Sequence, residues 1–223
     1  MSARSNWRFP AKVNPMSTTI EPLSPDARPV PENDGIDHIN IYSHARTALG
    51  QLATNFAHLP LRHPRYGFFA SMEAYWYWIK TGKQHDALRR LYGATAKTAG
   101  IRLNPVMMPE EQFVNEICDG LKLKVVQNQK LMEALKKSTL PIRHYYVYGT
   151  NPPVVKEPRN NLWLWRCLEN IRTALKENRP VYLTDGSPAI TDPIKEPPEN
   201  PIPEDIQRYV PREGSDDVNN VDY

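Results

Sequence analysis

The chain has 223 residues, 40% hydrophobic and 24% charged, with a formal net charge of +3, which suffices for one core of ordinary size. No run approaches the roughly 18 apolar residues of a membrane-spanning helix, and no apolar run of signal-peptide length follows the N-terminus. Two cysteines, Cys118 and Cys167, without a CxxC spacing exclude a disulfide scaffold and a zinc finger, and such sparse thiols predict a cytoplasmic protein.

Thirteen of the 22 prolines lie in residues 1–34 and 186–223. This predicts a Pro-rich disordered arm over 1–34, one domain over 35–185 and an acidic Pro-rich tail over 186–223. The tail carries nine acids against three bases, a net of −6, which leaves +9 on the rest. A basic body beside an acidic tail fits a polyanion- or phosphate-binding surface that the tail partly masks; plain solubility is the alternative.

Within the domain, residues 38–43 alternate and predict a short strand. An irregular stretch follows, through Asn55-Phe56 and a His63-Pro64 loop. Ser71 is the N-cap of the first clear helix and Thr81-Gly82 its close. Between them Met72, Tyr75, Trp76 and Ile79 make an apolar stripe. A second helix is predicted over 84–99, stopped by Gly100. A third runs from Pro109 to about Lys137, with a bend at Asp119-Gly120. Residues 144–148 read as a strand, Pro152, Pro153 and Pro158 as a loop, and 162–177 as a last helix capped by Asn160 or Asn161. The predicted fold is mainly α with a few short β-strands.

Two sets of residues bear chemistry. Glu73 lies among Phe68, Phe69, Tyr75, Trp76, Tyr77 and Trp78, surroundings that strip water from a carboxylate and suit it to acid–base work. Tyr77 is one turn on, and the aromatic rings there offer a sandwich for a flat base. The alternative is a first-turn charge favoured by the helix dipole. Lys124, Gln127 and Asn128 share one helix face, a cation and two amides that suit phosphate or ribose hydroxyls; the alternative is a solvated polar face. The six histidines show no paired spacing, so no metal is predicted. No phosphate-binding glycine loop and no nucleophile motif is present, and no cofactor is called for.

Taken together, several segments resemble the NADAR (YbiA-like) family. Ile41-Tyr42-Ser43, Leu52-Ala53-Thr54-Asn55-Phe56 and Ser71-Met72-Glu73-Ala74-Tyr75-Trp76 follow its Phe/Tyr-Ser start, its Leu-Ser-Asn-Phe segment and its Ser-x-Glu-His-Tyr-Tyr helix. Ala96-Lys97 with Gly100 resembles its Ala-Lys-x-x-Gly, and Lys124-Val125-Val126-Gln127-Asn128 its Lys-Phe-x-Gln-Asn. Leu131 through Thr139 resembles its Leu-x-x-x-Leu-x-x-Thr. The similarity is collinear over about 36–175. The family's Glu-His is Glu73-Ala74 here. Its Asp-x-x-Trp-Gly is at best Asn160-Asn161-Leu162-Trp163-Leu164, in which Asn160 cannot supply the charge and Glu157 is the nearby substitute. The Trp-rich first helix and long tails resemble a bacteriophage-encoded branch, which implies the host cytoplasm.

The resemblance implies a YbiA-like fold and an N-glycosyl hydrolase. It implies cleavage of a ribose–nitrogen bond in an ADP-ribose- or nucleotide-related substrate, such as ADP-ribosyl-guanine in nucleic acid or a riboflavin-pathway intermediate. Glu73, with Glu157, takes the catalytic role on this reading, because an oxocarbenium-like state calls for a carboxylate. Lys97 and Lys124 are matched to phosphates, Asn55 and Gln127 to sugar hydroxyls or base edges, and Trp76, Tyr77 or Trp163 to base stacking; Tyr42, Ser43, Phe56, Asn128 and Asn160 complete the expected binding set. Two alternatives remain open: a non-catalytic binder of NAD-derived or ADP-ribose signals, and a module that binds nucleic acid or a host protein through its basic body.

Overall fold

A computed structural model of the chain describes residues 22, 24, 27–149, 152–158 and 162–190. In chain order it forms β1 (Ile39–Asn40), α1 (Ala48–Ala53), β2 (Leu61–His63), β3 (Gly67–Phe69), α2 (Met72–Lys80), α3 (Gly93–Ile101), α4 (Glu110–Gln127), α5 (Gln129–Lys137), β4 (Ile142–Arg143), β5 (Tyr146–Tyr148), β6 (Val154–Lys156) and α6 (Leu162–Lys176), with 3-10 turns at Pro31–Asn33 and Asp86–Arg90. The architecture is mainly helical. The strands pair as three separate two-stranded ribbons, β1 with β4, β2 with β3 and β5 with β6.

α2 is the axis of the core. The Ser71 hydroxyl accepts the Ala74 amide at 3.1 Å, as the N-cap signal predicts, and Thr81 and Gly82 (φ 71°) close the helix. Met72, Tyr75 and Ile79 are buried as the apolar stripe requires, but so are Glu73, Ala74, Tyr77 and Trp78. α2 therefore buries almost its whole circumference, packed between α3 and α4.

Two glycines make that packing possible. A Cβ on Gly100 would stand 2.1 Å from Tyr77 Cγ, and one on Gly120 would stand 2.6 Å from Tyr75 Cε1. Gly100 is the last residue but one of α3, close to the stop its sequence suggests, and Gly120 lies within α4, which continues past it to Gln127. Two further breaks divide the expected helices. The expected helix over 84–99 divides at Leu91-Tyr92, where the Ser71 hydroxyl donates to the Leu91 carbonyl of an extended backbone. The helix expected from Pro109 to Lys137 divides at Asn128 (φ −117°, ψ 94°), whose side chain donates to the carbonyls of Pro60 and Lys124.

The first predicted strand shortens to β1, parallel to β4. Beyond it the Asn40 side chain continues the pairing, accepting the Tyr145 amide at 3.0 Å and donating to the Tyr145 carbonyl at 3.1 Å. That clamp separates β4 from β5, so the strand expected over 144–148 begins at Tyr146 and turns to pair with β6 instead. β6 stands in the expected proline loop, and α1 and the β2–β3 hairpin stand in the expected irregular stretch. Asp34 accepts the amides of Asn40 and Arg46, and the Ala189 amide donates to Val181. Packed structure thus continues past residues 35 and 185, while most of both expected arms lies outside the described residues. Among the described residues no helix is long and apolar enough to cross a membrane.

Candidate functional site

Glu73 is the second residue of α2 and only 2% exposed. Its amide donates to the Asn55 carbonyl at 3.0 Å, just beyond the end of α1. The neighbouring carbonyl, Thr54, accepts from Lys124 Nζ at 2.7 Å. The segment 54–55 is therefore held from two sides, by α2 and by α4, and it brings Glu73, Asn55 and Lys124 together. Lys124 is fully buried, and burial brings its amine down to about 7.

One turn after Glu73, the Tyr77 phenol is pushed up by burial first, then by the charge of Glu73 and by Tyr146. Tyr146, on β5, meets Tyr42 edge-on with ring centroids 5.6 Å apart, and meets His144 at 4.8 Å. The charge of Glu73 and the Tyr146 phenol thus both act on Tyr77, and Tyr146 in turn touches Tyr42, two residues past β1. The Tyr42 phenol is pushed up by burial and then by Tyr148. His144 donates through Nδ1 to the Ile41 carbonyl and packs against Trp165; burial holds its imidazole down at about 4, so the ring is neutral. Sequence reasoning missed Tyr146, His144 and Tyr148. The signal was present, because the three alternate at the spacing that puts residues on one face of an extended segment.

Tyr42 also lines a cleft of about 550 Å³ with Asn40, His44, Arg46 and Tyr148. Ser43 is half-buried and does not line it. Trp76 lies half-buried one turn from Glu73. Its ring is edge-on to Phe113 at 5.0 Å and parallel to Trp163 at 6.0 Å with 4° between the planes, so α2, α4 and α6 each contribute one ring. Phe56 and Lys97 are likewise brought together, the Lys97 ammonium 6.0 Å from the ring centroid.

Other expected residues serve the scaffold. Gln127 accepts the Arg62 amide at 2.7 Å and donates to the Arg62 carbonyl at 2.9 Å, so both ends of its amide pair with one residue of β2. Asn128 and Lys124 likewise hold backbone carbonyls. The three share a face, as their spacing predicts, and that face meets backbone of the 54–62 segment. Glu157 is ion-paired with Arg143 at 2.7 Å on the surface, and its charge reaches His144. Asn160 lies outside the described residues. Among the described residues no group of three or more His, Cys, Asp or Glu side chains is placed to hold a metal ion.

Comparison of the chain with family models, with curated proteins and with solved structures returns no match. The arrangement itself combines a buried carboxylate, a phenol one turn along and a pair of parallel indoles. A buried carboxylate is a group from which acid–base chemistry is built, and an aromatic face offers a surface on which a flat heterocycle stacks.

Proposed function

We propose that the chain hydrolyses an N-glycosidic bond between a ribose and a nitrogen heterocycle in a nucleotide- or ADP-ribose-type substrate. The observation that carries this reading is the burial of Glu73 on the helix face it shares with Tyr77, one turn from the Trp76–Trp163 pair. Glu73 activates water or faces the positive charge of the oxocarbenium-like state. Trp76 and Trp163 stack the base, Asn55 reaches a sugar hydroxyl, and Lys97 meets phosphate. Lys124 acts from behind, by holding the Thr54 carbonyl next to the one that holds the Glu73 amide. The collinear resemblance to the NADAR family supports the same reaction class.

A second reading is a non-catalytic binder of the same ligands. The Arg143–Glu157 ion pair favours it, since it occupies the carboxylate offered in place of the family's aspartate. One experiment separates the two. The chain is incubated with ADP-ribosylated DNA, free nucleotides and riboflavin-pathway intermediates, and released base or ADP-ribose is followed by mass spectrometry. Release from one of them supports the hydrolase. Tight binding to one of them without release supports the binder.

A further inference from the structure

Cys118 and Cys167 are the only cysteines of the chain, 49 residues apart. The fold sets them against each other, Cys118 on α4 and Cys167 on α6. Cys167 Sγ donates to the Cys118 carbonyl at 3.9 Å, so the two cysteines are direct neighbours across α4 and α6. Both are free thiols, and they are not equivalent: Cys118 is half-buried, Cys167 buried. The Lys122 ammonium, one turn along α4 and paired with Asp119 at 2.8 Å, lies in the electrostatic field of Cys118. The neighbouring Cys167 thiol, and then Lys122, favour the Cys118 thiolate against burial and the Asp119 charge; the Cys118 neighbour and burial push the Cys167 thiol up.

A half-buried cysteine set against a buried one is the asymmetry of an attacking and a resolving thiol. We propose that Cys118 and Cys167 are a redox-active dithiol, which a small disulfide oxidant such as oxidised glutathione converts into a bridge between α4 and α6. The Cys118 thiolate attacks one sulfur of the oxidant. The oxidant's S–S bond breaks, and one thiol leaves with the electron pair and the proton that Cys118 gave up. Cys167 then loses its proton and attacks Cys118 Sγ, expelling the second thiol. The protein loses two hydrogens and the oxidant gains them. The proposal is independent of the glycosidase reading.

The test uses the reduced full chain in excess oxidised glutathione, followed by alkylation and mass spectrometry. The expected result is a chain lighter by two hydrogens, refractory to alkylation, with one cross-linked peptide containing both cysteines and a melting temperature raised by the closed loop. In Cys167→Ser the reaction stops at a glutathione adduct on Cys118, and in Cys118→Ser the native protein takes up no adduct. Two free, alkylatable thiols after the incubation overturn the proposal. So does a wild-type glutathione adduct on Cys118 that never resolves to the bridge.

Discussion

Lys124 Nζ and the Glu73 amide donate to successive carbonyls, those of Thr54 and Asn55, at 2.7 and 3.0 Å. The base of the proposed site is thus held by a lysine that is itself fully buried. A buried amine is costly when charged, and that cost makes the fold's stability depend on pH.

The sign follows from where the proton sits. In the folded chain Lys124 titrates at about 7, against about 10.4 for a lysine in water. Between these values the unfolded chain holds a proton that the folded chain lacks, so stability rises with pH from 7 upward. Lys124→Met removes the amine and should flatten that rise, read as urea midpoints at pH 7 and 9. His144, held at about 4, adds a separate rise between pH 4 and 6.5 that Lys124→Met leaves in place. Equal slopes for wild type and variant above pH 7 would remove Lys124 as the cause.

Gly100→Ala pits two effects against each other. Alanine favours a helix interior by about 0.5–1 kcal/mol over glycine. The new Cβ, however, would stand 2.1 Å from Tyr77 Cγ, and overpacking of this kind costs about 1–3 kcal/mol. Destabilisation should win, and because Tyr77 must move, the proposed activity should fall with it. Thermal melting and turnover of the same preparation check both halves.

Gln127→Leu distinguishes a scaffold residue from a ligand residue. It deletes both hydrogen bonds to Arg62 at a site where water can replace them, so the loss should be about 1 kcal/mol. KM and ligand affinity should stay unchanged. A large rise in KM with unaltered stability would return Gln127 to the binding site.

Glu73→Gln keeps size and removes the charge. Turnover should fall by about 10² or more while ligand affinity changes little, because what is lost is stabilisation of the transition state. An active wild type whose Glu73→Gln variant keeps full rate would take the catalytic role away from Glu73.

Local signals made part of this legible. Ser71 and Thr81-Gly82 bound α2 because caps act on their own backbone, and the Glu73–Tyr77 face follows from helix geometry alone. Gly100 marks the end of α3 to within a residue, and Gly120 looks like a break, because propensity counts only the missing side chain. Tyr77 and Tyr75, pressed onto them from another helix, supply the reason for glycine that the local sequence hides. α1 has six residues and the hairpin strands three each, too short for periodicity to register. In the site, periodicity put Gln127 and Asn128 on the face of Lys124 but said nothing of the chain opposite. Tyr146 escaped for the converse reason: it meets Tyr42 from a strand distant in sequence.

The β1–β4 ribbon bears on how the chain is made. Ile39 pairs with Ile142, and the Asn40 side chain clamps Tyr145 across 105 residues. When Asn40 leaves the ribosome its partner has not been polymerised, and at about 5–20 residues per second the wait is about 5–20 s. Closing so long a loop carries an entropy cost before any contact offsets it. The N-terminal segment, with Tyr42 and its cleft, therefore docks late on a core of α2, α3 and α4 whose mutual contacts are nearer in sequence. Truncated chains ending before residue 142 and released from the ribosome should leave the first strand undocked.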